Sequence, residues 1–201
     1  FIRYILKNYY YISIMKIIGI TGGNGSGKTT ITKYIESLGY PIYIADDEAK
    51  KLLDLEEVIN EIRKTFGEEV IENNLVDKKK LATFVFGNKD KLKQLNEIIH
   101  PKVRQHFINW VKQINSEIVF KEAAILFESG AYKDCDYTIL VTAPEDVRVE
   151  RVIKRDNTTK EDIIKRIRSQ WSDEDKAKLS NYVINNIDLE ESKKQIIKII
   201  K

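Results

Sequence analysis

The sequence predicts an α/β fold, a five-stranded parallel sheet flanked by helices. Five short apolar runs, at 16–21, 42–44, 118–120, 137–141 and 182–184, alternate with helical patterns. A glycine-rich stretch joins the first run to the first helix. Residues 55–115 read as almost wholly helical, which makes them an insert between the second and third strands.

The first run, Lys-Ile-Ile-Gly-Ile-Thr, is apolar without alternation and ends at glycines, as a strand buried on both faces does. A helix follows over 29–38, with Gly39 as its stop signal and Pro41 just beyond. After the second strand, Asp46 opens a helix that runs through Leu53. In the insert, Leu92, Leu95, Ile98, Ile99, Val103 and Phe107 recur at helical spacing, and Pro101 marks a restart or kink. Phe84, Phe86, Phe107 and Trp110 are expected in the insert's core. Pro144 suits the first turn of the helix after the fourth strand, and basic helices cover 145–170. A last helix follows the fifth strand. There is no repeat and no low-complexity linker.

The bulk properties narrow the function. The chain has 201 residues, 42% hydrophobic and 32% charged, enough for one domain with a real core. Its net charge of +3, from 34 basic and 31 acidic residues, argues against a dedicated nucleic-acid binder. No stretch has the roughly 18–20 apolar residues of a membrane span. The single cysteine, Cys135, cannot form an internal disulfide, which fits a cytoplasmic protein, and it reads as a small residue before a strand. Residues 1–14 lack the pattern of a signal peptide, and Met15, the only methionine, reads as the natural start. The expected division is a dispensable extension over 1–14 and a single domain over 15–201. That domain has its core at 15–50 and 116–201 and the insert at 51–115.

The chemistry begins in Gly22-Gly23-Asn24-Gly25-Ser26-Gly27-Lys28-Thr29, which satisfies the P-loop pattern G-x-x-x-x-G-K-[ST] between a strand and a helix. Glycines let backbone N–H groups approach phosphate oxygens without a clashing Cβ. Gly23, Asn24, Gly25, Ser26, Gly27, Lys28, Thr29 and Thr30 are therefore the expected nucleotide-binding residues. Lys28 is expected to reach the β and γ phosphates of ATP, and the Thr29 hydroxyl to coordinate Mg²⁺. A dinucleotide-binding loop is excluded, since Lys28 stands where its third glycine is needed. The size of the chain leaves little room for a motor. A GTPase Asn-Lys-x-Asp sequence is missing too, because in Asn88-Lys89-Asp90 the aspartate comes one residue early.

Further segments make a resemblance specific. Gly19-Ile20-Thr21 leading into the P-loop, Ala45-Asp46-Asp47-Glu48-Ala49-Lys50, His100-Pro101, Ile125-Leu126-Phe127-Glu128, Arg151 with Arg155-Asp156, and Ile184-Asn185-Asn186 occur in that order. Together they resemble dephospho-CoA kinases over about 16–190. Ile44 and Ala124 depart from the family pattern at an aspartate and a proline, and Lys50 stands for its arginine. The resemblance implies a P-loop kinase with a helical acceptor-binding insert and a helical lid over about 145–175. It implies phosphate transfer from ATP to the ribose 3′-hydroxyl of dephospho-CoA, with no nucleic-acid or membrane partner. A kinase for another small acceptor, such as a nucleoside monophosphate, and a non-enzymatic nucleotide-dependent module are the alternatives.

Asp46, just past a strand end, is the expected base for the acceptor hydroxyl, or else an N-cap. Arg148, Arg151 and Arg155 form one helical stripe that by itself reads as a solvated face. The resemblance makes Arg151 and Arg155 lid arginines that join Lys28 and Asp46 as catalytic residues. Arg166 and Gln170 are weaker additions. Glu122 is a candidate for a Mg²⁺-bound water, and His100 is expected to cap or pack beside Pro101 rather than react.

Overall fold

Strand β1 (Lys16–Thr21) is buried along all but its first residue, because parallel neighbours flank it on both sides. In the computed structural model, which describes residues 15–85, 87–156 and 158–201, the sheet has the order β2-β5-β1-β6-β7 with every pair parallel. Here β2 is Ile42–Ile44, β5 is Ile118–Glu122, β6 is Tyr137–Thr142 and β7 is Tyr182–Asn185. The expected α/β class and five parallel strands are borne out. The expectations for residues 1–14 and Phe86 lie outside the described residues.

Backbone contacts divide the chain into two units, one made of the chain up to Ile44 and from Ile114 onward, the other of Ala45–Gln113. In the first unit, helices α1 (Lys28–Ser37) and α9 (Leu189–Ile200) cover the sheet. Ile31 and Ile35 from α1 and Ile196 from α9 meet Ile18, Ile20, Phe120, Ile139, Val141 and Ile184 in one core. The register pairs Ile20 with Glu122, Ile44 with Glu122, and Thr142 with Asn185, so the strands end along one edge. Sites of α/β sheets gather at that edge. Helices α6 (Glu145–Asp156) and α7 (Lys160–Arg168) share a small core of Val149, Val152 and Ile163. Helix α8 (Asp173–Leu179), which was not expected, starts at Ser172, whose hydroxyl accepts from the Asp175 N–H.

The second unit contains α2 (Ala45–Leu52), α3 (Glu56–Phe66), α4 (Lys78–Val85) and α5 (Lys89–Gln113) around Val58, Ile59, Ile62, Phe66, Val70, Val76, Leu81, Val85 and Ile99. It is not wholly helical. Strands β3 (Ile71–Glu72) and β4 (Leu75–Val76) form an antiparallel ribbon. Asn73 and Asn74 turn it at φ 50 and 61, the left-handed conformations that a two-residue hairpin loop requires. Helix α5 runs through Pro101 rather than restarting there. Leu92 is 46% exposed despite its place in the apolar series, because it lies in the first turn beyond the part of α5 that the core covers. Phe84 packs edge-on to Phe66 against this core, as expected, while Phe107 is buried outside it and stacks on Trp110.

Candidate functional site

The turn from β1 to α1 has glycine at Gly22, Gly23, Gly25 and Gly27, and at each a Cβ would collide with a neighbour. Gly25 has φ 81, and a Cβ there would stand 2.4 Å from the Arg148 carbonyl oxygen. Gly27 has φ 90 and would meet Asn186 Nδ2 at 2.1 Å. Both are left-handed conformations that glycine adopts without strain. Gly27 also precedes α1 without capping it by a side chain, so the positive helix end faces the loop.

A cleft of about 480 Å³ opens over this turn. Gly23, Asn24, Gly25, Gly27, Lys28, Thr29 and Thr30 line one side, and Arg151, Val152, Arg155, Asn186 and Leu189 the other. The volume suits a nucleotide-sized ligand. Ser26 does not line it. Its hydroxyl is fully buried and has no hydrogen-bond partner among the described residues, its N–H donates to the Gly23 carbonyl at 3.1 Å, and its carbonyl faces Asn186. Lys28 Nζ stands 3.8 Å from Glu122 Oε1, both side chains being largely buried. Thr29 is exposed on the first turn of α1.

The three arginines of the stripe have different surroundings. Arg151 donates from Nη2 to the Asn186 carbonyl at 2.9 Å and from Nη1 to the Ser26 carbonyl at 3.5 Å. Arg155 is exposed and chelates Asp156 at 2.6 and 2.8 Å, and its Nη2 lies 3.3 Å from Asn24 Oδ1. The hydrogen bond from Arg155 holds the Asp156 carboxyl below its usual range. Arg148 corrects the expectation of a solvated face, since only 6% of it is exposed. It lies against Gly23 and Gly25, and it donates to Asp173, the first residue of α8. A helical wheel registers that these arginines share a face, but not that the P-loop covers one end of it.

Asn186 was noticed in sequence only as part of a family segment. It is 3% exposed, donates from Nδ2 to the Ser26 carbonyl at 2.9 Å and accepts from the Ser192 hydroxyl at 3.1 Å. Gln170 accepts from the Asn24 N–H at 3.3 Å, while Arg166 lies 3.8 Å from Asp156. Glu128 accepts from the Trp171 N–H at 3.1 Å and lies 3.0 Å from the fully buried Lys176 ammonium, which ties the segment before α8 to the loop after β5.

In the second unit, Asp46 is an exposed residue in the first turn of α2. That helix already begins at Ala45, so Asp46 does not stand at an N-cap, and the capping alternative is corrected. Lys50 pairs with Asp47 at 2.9 Å, a hydrogen bond that raises the pKa of the lysine. His100 lies inside α5 next to Pro101 and so cannot cap a helix. In the first unit, burial pushes the Cys135 thiol up to about 12, so it remains protonated and is a poor nucleophile. Among the described residues, no cluster of three or more His, Cys, Asp or Glu side chains could hold a metal, and no helix is long and apolar enough to cross a membrane.

Comparison with known proteins gives a consistent result. A family model described as dephospho-CoA kinase matches residues 16–191. A dephospho-CoA kinase of Bacteroides fragilis is 43% identical over 171 residues, 84% of this chain and 83% of that protein. The crystal structure of a Thermus thermophilus protein superposes with a TM-score of 0.85 at 33% identity, covering 92% of this chain and 96% of the other. A dephospho-CoA kinase from Campylobacter jejuni superposes with a TM-score of 0.68 at 29% identity, covering 92% and 94%. This chain belongs to the dephospho-CoA kinase family.

Proposed function

We infer that this chain transfers the γ-phosphoryl group of ATP to the ribose 3′-hydroxyl of dephospho-CoA, giving CoA and ADP in the last step of CoA biosynthesis. The observation that carries the reading is the Gly22–Thr29 loop lining a nucleotide-sized cleft in a chain of this family. The loop's backbone N–H groups and Lys28 hold the β and γ phosphates. The 3′-oxygen attacks the γ phosphorus, the bond from that phosphorus to the bridging oxygen breaks, and ADP leaves with the bonding electrons. Asp46 orients the hydroxyl and takes its proton. Its exposed carboxylate two residues after β2 supports that role. Arg155, exposed and at the cleft, turns from Asp156 to the γ phosphate. Arg151 neutralises charge from its place on the cleft wall.

The donor set fits Mg²⁺ as a nucleotide-borne ion. Thr29 has an exposed hydroxyl at the cleft that would hold the ion beside the phosphates. Glu122, whose carboxylate pairs with Lys28, would orient a water on that ion. When bound, the ion neutralises charge on the phosphates. We assign the acceptor to the unit Ala45–Gln113, the lid to about 145–175 and the protein to the cytoplasm, with neither nucleic acid nor membrane as partner.

The test is ADP release with ATP and a panel of acceptors. Release with dephospho-CoA, and none with nucleoside monophosphates, is expected. Release with a nucleoside monophosphate instead would move the chain to another acceptor. No release with any acceptor would make it a binding module.

A further inference from the structure

The outer arm of the P-loop rests on one buried arginine that does not line the cleft. Arg148 Nε donates to the Asn24 carbonyl at 2.9 Å, and Nη1 lies 3.1 Å from Asp173 Oδ2. The Thr142 hydroxyl donates to the same carboxylate oxygen. A Cβ at Gly23 would stand 2.0 Å from Arg148 Nη2, and one at Gly25 would strike the Arg148 carbonyl oxygen at 2.4 Å. Two loop glycines therefore exist in contact with this one residue. On its other side the Asn24 peptide donates its N–H to Gln170.

We propose that Arg148 is a positioning residue for ATP: it holds the Asn24 carbonyl away from the phosphates, and Asp173 holds Arg148. This rests on the reading of the Gly22–Thr29 loop as the ATP site. A loop that receives phosphate must present N–H groups and turn its carbonyls outward, since a carbonyl oxygen facing a phosphate repels it. Gly22, Gly23, Gly25 and Gly27 leave the loop more backbone freedom than other residues would, and ordering it on binding costs affinity. A charge-assisted hydrogen bond from a guanidinium only 7% exposed removes that freedom in advance. Asp173 supplies the counter-charge without which a buried arginine is costly. A purely structural Arg–Asp pair predicts something else, a less stable protein whose folded molecules bind ATP as before.

The experiment compares the parent with Arg148→Met, Arg148→Lys and the double variant Arg148→Met/Asp173→Asn, for melting, ATP Kd by calorimetry, and KM for each substrate. The double variant removes both charges, so it folds where the single variant leaves Asp173 unpaired. Its ATP Kd and ATP KM are expected to rise about 10- to 100-fold, the loss of one charge-assisted hydrogen bond, with the KM for dephospho-CoA little changed. Arg148→Lys keeps the charge but loses the fork that spans Asn24 and Asp173, and its Kd is expected to rise several-fold. Folded variants whose ATP Kd stays within about twofold of the parent overturn the proposal, and the lysine variant decides alone if the others do not fold. A parent that binds no ATP overturns the reading of the site, and the proposal with it.

Discussion

Arg151 and Arg155 stand one helical turn apart on α6, yet their replacement should fail in different ways. Arg151 holds two carbonyls, one of them in the P-loop. Arg151→Ala should lower both kcat and the melting temperature, the second because the Ser26 and Asn186 carbonyls lose a charged donor worth about 1.5–3 kcal/mol. Arg155 is exposed and bound mainly to its neighbour Asp156, so Arg155→Ala should melt like the parent. Its kcat should nonetheless fall by roughly 10³-fold if it meets the transferring phosphoryl group. Thermal melts beside steady-state rates check both, and an unchanged kcat in Arg155→Ala would return that residue to the solvated face. Asp46 allows an equally clean separation. Being exposed in the first turn of α2, it contributes little to packing, and Asn preserves its size. Asp46→Asn should therefore melt near the parent and bind ATP, while its single-turnover rate on dephospho-CoA drops by about 10²-fold or more. A parental rate would leave Asp46 without a part in the chemistry.

At the scale of elements, what was legible in the sequence followed the strength of the local pattern. Strands β1 and β2 are where the apolar runs put them, and β5, β6 and β7 extend one or two residues beyond. The extra residues, Lys121, Glu122, Thr142 and Asn185, are polar, so hydropathy hides them, yet they continue the parallel ladder to the site edge. The P-loop was legible for a different reason, because its glycines are fixed by contacts that leave no choice of residue. Arg148, Asn186 and Lys176 were not. Their burial comes from segments 124 and 160 positions away for the first two, and 48 for Lys176 and Glu128, and no local period encodes that. The β3–β4 ribbon is intermediate, since Asn73-Asn74 between Ile71-Glu72 and Leu75-Val76 is a turn signal too short to outweigh the helices around it. It yields a stability test. Valine in the left-handed region costs about 1–2 kcal/mol per residue, whereas glycine is at ease there. Asn73→Val/Asn74→Val should lower the melting temperature by several degrees, and Asn74→Gly should hold or raise it. If the valine pair melts like the parent, the turn does not constrain the unit.

At the scale of the whole molecule, the residues that line the ATP cleft all belong to the unit containing the sheet, drawn from the β1–α1 turn, α6, and the stretch from β7 into α9. A ligand that bridges segments so distant in sequence binds the folded chain and not the unfolded one, so ATP should stabilise the fold by mass action. At about 100 times Kd that linkage is worth roughly 2.7 kcal/mol. For a chain of this length it should raise the melting temperature by about 5–10 °C. Lys28 makes the test specific. Its ammonium stands within ion-pair distance of Glu122, so Lys28→Ala should lower the ATP-free melting point somewhat, and that baseline is measured first. What matters is the increment on adding nucleotide. If Lys28 holds the β and γ phosphates, its loss should lower ATP affinity, and the same ATP concentration should leave the variant's melting point almost where it was. Scanning calorimetry of both proteins, with and without Mg-ATP, gives the two increments directly. An equal rise in parent and variant would show that ATP is held without Lys28 and would take the P-loop lysine out of the mechanism.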